Sequence, residues 1–516
     1  MKKVNILTKS SIHVTLLSLL GLVFSFVLQM IIAYYFGTEF ERDAYFIAIA
    51  IPSYISSIFI GSFGVIFLPK ITQIISEDNK ELVSEFISTT FCLLAILLLI
   101  IIALCTSFSV EIISFFAPNF NSSEIEFTSH LLTIVIPSIF FVVLTCLLGA
   151  LYQIDHKFIR PALLPIFSSV IGVVFVTALN DKIGVLSLAY GFLTGSILSM
   201  ILVWPITLKY NLKFLININN INVSYFFKTA MPLFLSGILF RSTVVIERMI
   251  ASNLTEGSVS YLGYANQIFM AFLAITVSGI AVTSFPVMSK LWNDGNEKEI
   301  EDFLSQNIQI ILIISIPILI SVVFFGDIFV KIIFERGAFD SVSTISVSKA
   351  LLWSMGAFLC QGLGSVIMKV FYLSGKTITV SVISIFELCL FFILSLILSK
   401  RFGYIGLAMA LSISSFIAIS LAVIIINKVL IKISFHKIFV ESLKILFASI
   451  LGVLTAYLLY DFIEFDSILC LILCYAIGLT VYFKIGKLVG INEFNILINN
   501  FLRLKNKLTL KKKQQI

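Results

Sequence analysis

The sequence predicts an all-α polytopic membrane protein of about fourteen transmembrane helices. Three observations carry that reading. Hydrophobic residues fill 59% of 516 positions and charged residues only 12%, too few to coat a soluble chain of this size. Apolar runs of about 20 residues, the length a helix needs to cross a bilayer, recur from end to end. One pair of runs, IIAYYFGTEFERDAYFIAIAIPSYISSIFIGSFGVIFLPK (Ile31 to Lys70), returns about 217 residues later as IASNLTEGSVSYLGYANQIFMAFLAITVSGIAVTSFPVMSK (Ile250 to Lys290).

Taken in order, the spans fall near 12–36, 44–69, 86–107, 128–150, 162–180 and 185–207, then 225–249, 259–288, 303–325, 346–373, 378–399, 404–426, 440–460 and 467–483. The first run is longer than the ~7–15 residues of a signal-peptide core and carries no A-x-A cleavage signal, so it reads as a retained span. In the duplicated pair, Pro69 and Pro286 close the two copies, and Gly61 and Gly64 fall opposite the small residues Ser278 and Ala281. LYQIDHKF (Leu151 to Phe158) and FYLSGKTI (Phe371 to Ile378) repeat at nearly the same offset. The expected organisation is two pseudo-symmetric six-helix lobes, 1–215 and 216–430, then two further helices over 431–483 and a basic cytoplasmic tail over 484–516. Lobes of one orientation enclosing a central cavity are an arrangement transporters use. Pro52, Pro137, Pro232 and Pro317 fall inside spans, as hinges or as static kinks.

Lysine and arginine favour the cytoplasmic side of a membrane. With the N-terminus placed inside, 25 of the 35 basic residues fall in inside loops and tails, which predicts an N-in, C-in chain. The net charge of +7 and the basic tail fit contact with anionic membrane lipids, at about 1 kcal/mol per charge; no nucleic acid partner is expected. The seven cysteines lie mostly inside apolar runs with no CxxC or Cys/His cluster, so neither a disulfide framework nor a metal site is expected. No G-x-S-x-G, P-loop or HExxH occurs, and no extramembrane loop is large enough to carry chemistry, so the chain reads as a non-enzyme without cofactors. Membrane potential, H+ or Na+ remain as drives.

Charges inside spans are costly and face a cavity or a partner. Arg241 lies about mid-helix in GILFRSTVVIERMIAS, with Arg248 seven residues on and Glu247 beside it. The pattern allows a cationic wall for an anionic headgroup, or an Arg–Glu lock between helices. Glu387, alone in ISIFELCLFFIL, is a proton or cation site or the partner of a basic residue such as Lys369 or Arg241. Lys369 shares its helix with Gly362, Gly364 and Ser365, which make one side thin and polar; Lys349, at the other end, can snorkel to water. His130 reads as a boundary residue, and Arg42 and Asp43 sit at the outward mouth of the second span as a loop salt bridge.

FGTEFERDAYFIAIAIP resembles the first hairpin of the MurJ/MviN family, lipid II flippases of the MOP exporter superfamily. GALYQIDHKFIRPALLP, LAYGFLTGSIL, IASNLTEGSVSYLGYA, FPVMSK and IIFERGAFD follow in the family's order. The resemblance implies a MOP/MATE-like fold that moves a lipid-linked anionic saccharide, built on undecaprenyl diphosphate, from the inner to the outer leaflet of a bacterial inner membrane. It carries Asp43 over as the family's second-helix aspartate. Family arginines of the first helix fall on SLLGLVFSFVLQM, that of the second near Ser56–Ser57, and the Asp-Arg pair of the eighth on Asn266-Gln267. Substrate contacts would then rest on Arg241, Arg248 and Lys369, with Asp43, Asn266, Gln267 and Ser57 around them and Glu387 and Glu247 for ion coupling. An inside-negative potential gives about 2.3 kcal/mol per charge per 100 mV, so a dianionic diphosphate moves outward downhill. The other readings are a Wzx-like O-antigen or capsule flippase, a MATE-like cation-coupled exporter, a non-transporting scaffold of envelope synthesis, and a membrane glycosyltransferase or polymerase, which the lack of a large outer loop with carboxylates disfavours; envelope glycosyltransferases are the expected partners.

Overall fold

The computed structural model describes residues 2–77, 79–217, 220–430, 435–463, 468–491 and 494. The small-residue contacts expected at Gly64, Ser278 and Ala281, and the basic tail from Arg503 to Lys513, lie outside what it describes. Among the described residues the regular structure is helical, with no strand.

The helices are α1 (Lys2–Phe36), α2 (Phe40–Ser76), α3 (Lys80–Ser107), α4 (Ser109–Phe116), α5 (Ser122–Val135), α6 (Ser138–Ile154), α7 (Ile159–Ile183), α8 (Leu186–Val203) and α9 (Ile206–Lys209). They continue as α10 (Ile221–Phe240), α11 (Thr243–Ala251), α12 (Ser258–Asn293), α13 (Glu297–Phe334), α14 (Ser341–Leu373), α15 (Thr377–Phe402), α16 (Tyr404–Val429), α17 (Phe435–Ile463) and α18 (Ile468–Leu488). Among the described residues, fourteen segments are long and apolar enough to cross a membrane, and each falls on a run expected from hydropathy. Two of them are broken in the middle. Pro137 stands between α5 and α6, where it cannot donate to the preceding turn. The seventh span parts into α10 and α11 at Arg241 and Ser242, so Arg241 is not in mid-helix as expected. Pro69 and Pro286 do not close their helices either: α2 runs on to Ser76 and α12 to Asn293. A single missing N–H leaves one carbonyl free, and the helix resumes beyond it.

The duplication is written in the backbone. Non-helical, positive-φ residues stand between matching helices at Gly37 and Gly257, at His156 and Gly375, and at Gly184 and Gly403, each pair 219 or 220 residues apart. The C-terminal turns match bond for bond: Lys157 N donates to Tyr152 O and Lys376 N to Phe371 O, both at 2.9 Å.

The chain divides into two compact units. The first comprises residues 1–263, 333–344 and 392–407. Within it α2, α3 and α10 meet through three buried rings, Phe67, Phe86 and Phe226, with centroids 5.9–6.1 Å apart. Helices α1 and α7 approach through small residues, Gly172 against Leu28 and Ser25 hydrogen-bonded to Ser169. The second unit comprises residues 264–332, 345–391 and 408–516. Its core runs through Ile311, Phe325, Val366, Phe371, Ala422 and Ala448, and α17 meets α18 backbone to backbone at Gly452 and Gly478. Pro317 frees the carbonyl of Ile313, four residues earlier, and the Tyr482 hydroxyl of α18 donates to it at 2.8 Å. The freed carbonyl is therefore satisfied by a neighbour.

Candidate functional site

At one end of the first unit the two copies of the duplicated hairpin cap each other. Asp43, near the start of α2, accepts from the backbone N–H groups of Gly257 (2.8 Å) and Ser260 (2.7 Å), at the N-terminus of α12. Glu256 returns the favour by accepting from Phe40 N at 2.9 Å, the first residue of α2. Orphan donors at two helix starts are thus satisfied across more than 200 residues of chain. Asp43 is 5% exposed, and both its oxygens are committed to α12 rather than open to a ligand.

Phe46, one turn after Arg42, takes a guanidinium on its ring from two directions. Arg42 Cζ lies 3.8 Å and Arg248 Cζ 4.8 Å from its centroid. Gly263 leaves room for that ring: a β-carbon there would stand 2.5 Å from Phe46 Cζ. Arg248, 5% exposed, also donates to the Val259 carbonyl. The lock expected with Glu247 is not how Arg248 is held, and Glu247 has no ion-pair or hydrogen-bond partner among the described residues. Arg42 donates to Gln29 at 3.2 Å rather than closing a salt bridge with Asp43. At the same end, IIFERGAFD folds back on the turn after α1. Ala338 N donates to Tyr34 O at 2.8 Å, and at Gly337 (φ 59°) a β-carbon would collide with that carbonyl.

Arg241 stands in a different setting. It has φ −103° and ψ 1°, its own N–H reaching Gly237 O and the next one Leu239 O. The carbonyl of Ile238 is thereby left without a backbone donor. Tyr54 of α2 supplies one with its hydroxyl at 2.7 Å, and Ser242 Oγ a second at 2.5 Å. In hydrocarbon an unsatisfied carbonyl costs several kcal/mol, so these two hydroxyls are what make the break tolerable. The guanidinium beside it lies across Gly61: a β-carbon there would sit 2.5 Å from Nη2 and 3.2 Å from Cζ. Arg241 is exposed, and no carboxylate or other acceptor meets its side chain among the described residues. Ser57, one turn from Gly61, is half-buried and turns its hydroxyl onto Tyr54 O at 2.8 Å. Arg241 and Arg248, expected on one helical face, are thus separated by the break into an open and a closed setting.

In the second unit, Lys369 of α14 donates to the buried Ser284 hydroxyl of α12 at 3.1 Å. Glu387 of α15 accepts from the Ser415 hydroxyl of α16 at 2.6 Å. Asn266 and Gln267 are half-buried on α12 with no hydrogen-bond partner among the described residues. No group of His, Cys, Asp and Glu there could hold a metal. Sequence reasoning missed Tyr54, Ser242 and Phe46, and had Gly61 only as a small packing residue. Tyr54, Gly61 and Phe46 meet Ile238, Arg241 and Arg248 from far along the chain, and only the duplication pointed to which segments meet.

Comparison with known proteins follows the same lines. A family model described as "Lipid II flippase MurJ" matches residues 32–475. The probable lipid II flippase MurJ of Buchnera aphidicola subsp. Baizongia pistaciae is 29% identical over 420 residues, 79% of this chain and 81% of that one. The lipid II flippase MurJ of Thermosipho africanus is 27% identical over 464 residues, 88% and 92% of the two. Among solved structures, a lipid II flippase MurJ in an inward closed conformation superposes with a TM-score of 0.80 at 25% identity, covering 92% of this chain and 98% of the other. An inward-facing multidrug resistance MATE family transporter of the MOP superfamily shares the fold, with a TM-score of 0.66 at 16% identity over 81% and 94%.

Proposed function

Because the chain belongs to the MurJ family of lipid II flippases, we infer that it carries a polyprenyl-diphosphate-linked saccharide from the inner to the outer leaflet by alternating access. Lipid II is the substrate the family points to. The working lobes are residues 1–215 and 216–430, joined by the helices of 431–483 and the tail of 484–516. The chain lies in the bacterial inner membrane with both termini cytoplasmic, where the enzymes that build the lipid-linked saccharide, envelope glycosyltransferases, deliver it.

One observation carries the site: Arg241 is an exposed cation inside a span, laid on a glycine at a helix break, without an acceptor among the described residues. A guanidinium facing acyl chains is expensive, so such a group faces water or an anion. Its planar fork of donors suits two phosphate oxygens at once. Lys369 adds a second cation, Asn266, Gln267 and Ser57 offer neutral donors for sugar hydroxyls, and Glu387 and Glu247 are the groups to couple an ion. Arg248 and Asp43 act by shaping the site. The membrane potential drives the diphosphate outward, so a strict ion requirement is not needed.

The test is depletion of the chain with complementation by Arg241→Ala. The expected outcome is accumulation of an undecaprenyl-diphosphate-linked precursor, identified by mass spectrometry, with the variant present in the membrane at wild-type level. Full complementation would remove Arg241 from the site. Accumulation of a capsule or O-antigen unit in place of lipid II would shift the reading to that glycan, which the missing family arginines favour.

A further inference from the structure

We propose that the segment joining the sixth and seventh spans is a membrane-interface foot, which inserts a fixed apolar edge into the lysine-rich leaflet and grips its anionic headgroups. The proposal rests on the orientation inferred above and needs no transport.

From Tyr210 to Asn220 the described chain forms no helix, yet it is closely held. Ser84 Oγ of α3 donates to Asn211 O at 2.8 Å. Lys213 N donates to Ser88 Oγ at 3.0 Å and Asn217 N to Thr89 Oγ1 at 3.3 Å. The side-chain amides of Asn217 and Asn220 both donate to Glu85 Oε1, at 2.5 and 3.0 Å. Positions 84, 85, 88 and 89 share one helical face, so α3 offers a ladder of hydroxyls and a carboxylate that the extended segment follows. At its start, the Asp155 carboxylate, with a side chain 7% exposed, receives Lys209 Nζ and the Tyr210 hydroxyl. Burial, reinforced by that carboxylate, pushes the Tyr210 phenol above its ordinary pKa, which keeps its hydroxyl a donor to Asp155.

With its polar backbone turned onto α3, the segment sends its apolar side chains outward. Phe214 is 99% exposed, with Leu215 and Ile216 half exposed beside it, and the flanking helix ends add Leu208 (82%) and Ile221 (80%). Exposed apolar side chains clustered in one short stretch mark a binding surface. Its occupant follows from position and charge. The two apolar spans Leu186–Lys209 and Ile221–Ala251 end here, which places the segment where hydrocarbon gives way to water. Lys213 and the neighbouring Lys157 are exposed on the same stretch of polar surface, and aromatic and aliphatic side chains beside lysines are the composition of an interfacial anchor to anionic lipid. A second copy of the chain or a partner protein would bring no reason for the lysines.

The test uses the full chain with Trp204, Trp292 and Trp353 replaced by phenylalanine and Phe214→Trp as the sole tryptophan, reconstituted in phosphatidylcholine–phosphatidylglycerol vesicles. Lipids brominated near the headgroup should quench its emission more than lipids brominated deep in the chain, and aqueous acrylamide should quench it weakly. Leaving out phosphatidylglycerol, or adding Lys213→Gln, should weaken the shallow quenching. Strong acrylamide quenching with no effect of bromine would overturn the proposal, and so would protection from both quenchers that grows with protein density. Should the tryptophan-free background fail to fold, hydrogen exchange of residues 211–216 in the native chain serves: exchange slower with phosphatidylglycerol than without supports the foot, and equal exchange sinks it.

Discussion

Arg241 and Arg248 stand seven residues apart in one membrane-spanning segment, and the fold treats them in opposite ways. Arg248 is buried, bonded to the Val259 carbonyl and stacked on Phe46. Arg241 lies open on Gly61 at the end of α10. A buried charge persists only when its surroundings are built for it, so Arg248 belongs to the architecture. A charge left open within a span, with the backbone around it satisfied by Tyr54 and Ser242, is the group on which the proposed substrate site rests.

The largest expected effect is therefore on Arg248. Arg248→Ala strips the Val259 carbonyl of its charged donor and leaves a void against Phe46, a loss of about 3–5 kcal/mol. Folded protein in the membrane, followed by fluorescence-detected gel filtration after heating, should fall sharply. Arg241→Ala should leave that profile unchanged while export stops. The reverse pattern would undo the contrast.

Gly61 offers a finer instrument. Alanine there would push the guanidinium of Arg241 aside, since its far end is free to move, without touching the packing of Arg248. Gly61→Ala is expected to lower flipping of labelled lipid II in proteoliposomes about tenfold, equivalent to about 1.4 kcal/mol, with thermal stability unchanged. Wild-type flipping would mean that the position of Arg241 on the glycine does not matter.

Two tyrosines extend the comparison. Tyr54 satisfies the carbonyl freed at the α10–α11 break, and Tyr482 satisfies the one freed by Pro317. Each phenylalanine variant should cost about 0.6–1.7 kcal/mol of stability, the range found for hydrogen bonds between membrane helices. Only Tyr54→Phe should also slow flipping, because only that break carries an open cation. Equal transport in both variants would show the two breaks to be mere structural repairs.

These pairs also show what was legible in the sequence. The fourteen spans were, because the length and apolarity of each run decide whether it crosses a bilayer. A freed carbonyl before Pro317 was, since proline removes a donor wherever it stands. The break at Arg241 was not: Pro232, the proline of that span, lies nine residues before it inside α10, and the partner that makes the break tolerable lies 184 residues away. The motif FERDAYF was visible as a motif, and the family resemblance alone made Asp43 a substrate contact. Its bonds to Gly257 and Ser260 were not legible, because bare amides are announced by no residue type.

The smallest effect tests the architectural side of the contrast at the surface. Asp340 caps the start of α14, accepting from the Ser343 hydroxyl (2.7 Å) and N–H (2.8 Å), which hold its carboxyl below the ordinary carboxylate range. A carboxylate stabilised in the folded state contributes fully above its unfolded pKa and is lost as pH falls through the lower, folded one. The turn at Ser341–Thr344 should therefore keep its protection from hydrogen exchange, corrected for intrinsic rates, down to about pH 4, the ordinary carboxylate value, and lose part of it below. In Asp340→Asn the amide can still cap but cannot titrate, so its protection should change little over the same range. A steep acid loss in the asparagine variant would mean that another group governs this end of the helix. A flat profile in the wild type would mean that the cap contributes too little for its charge to count.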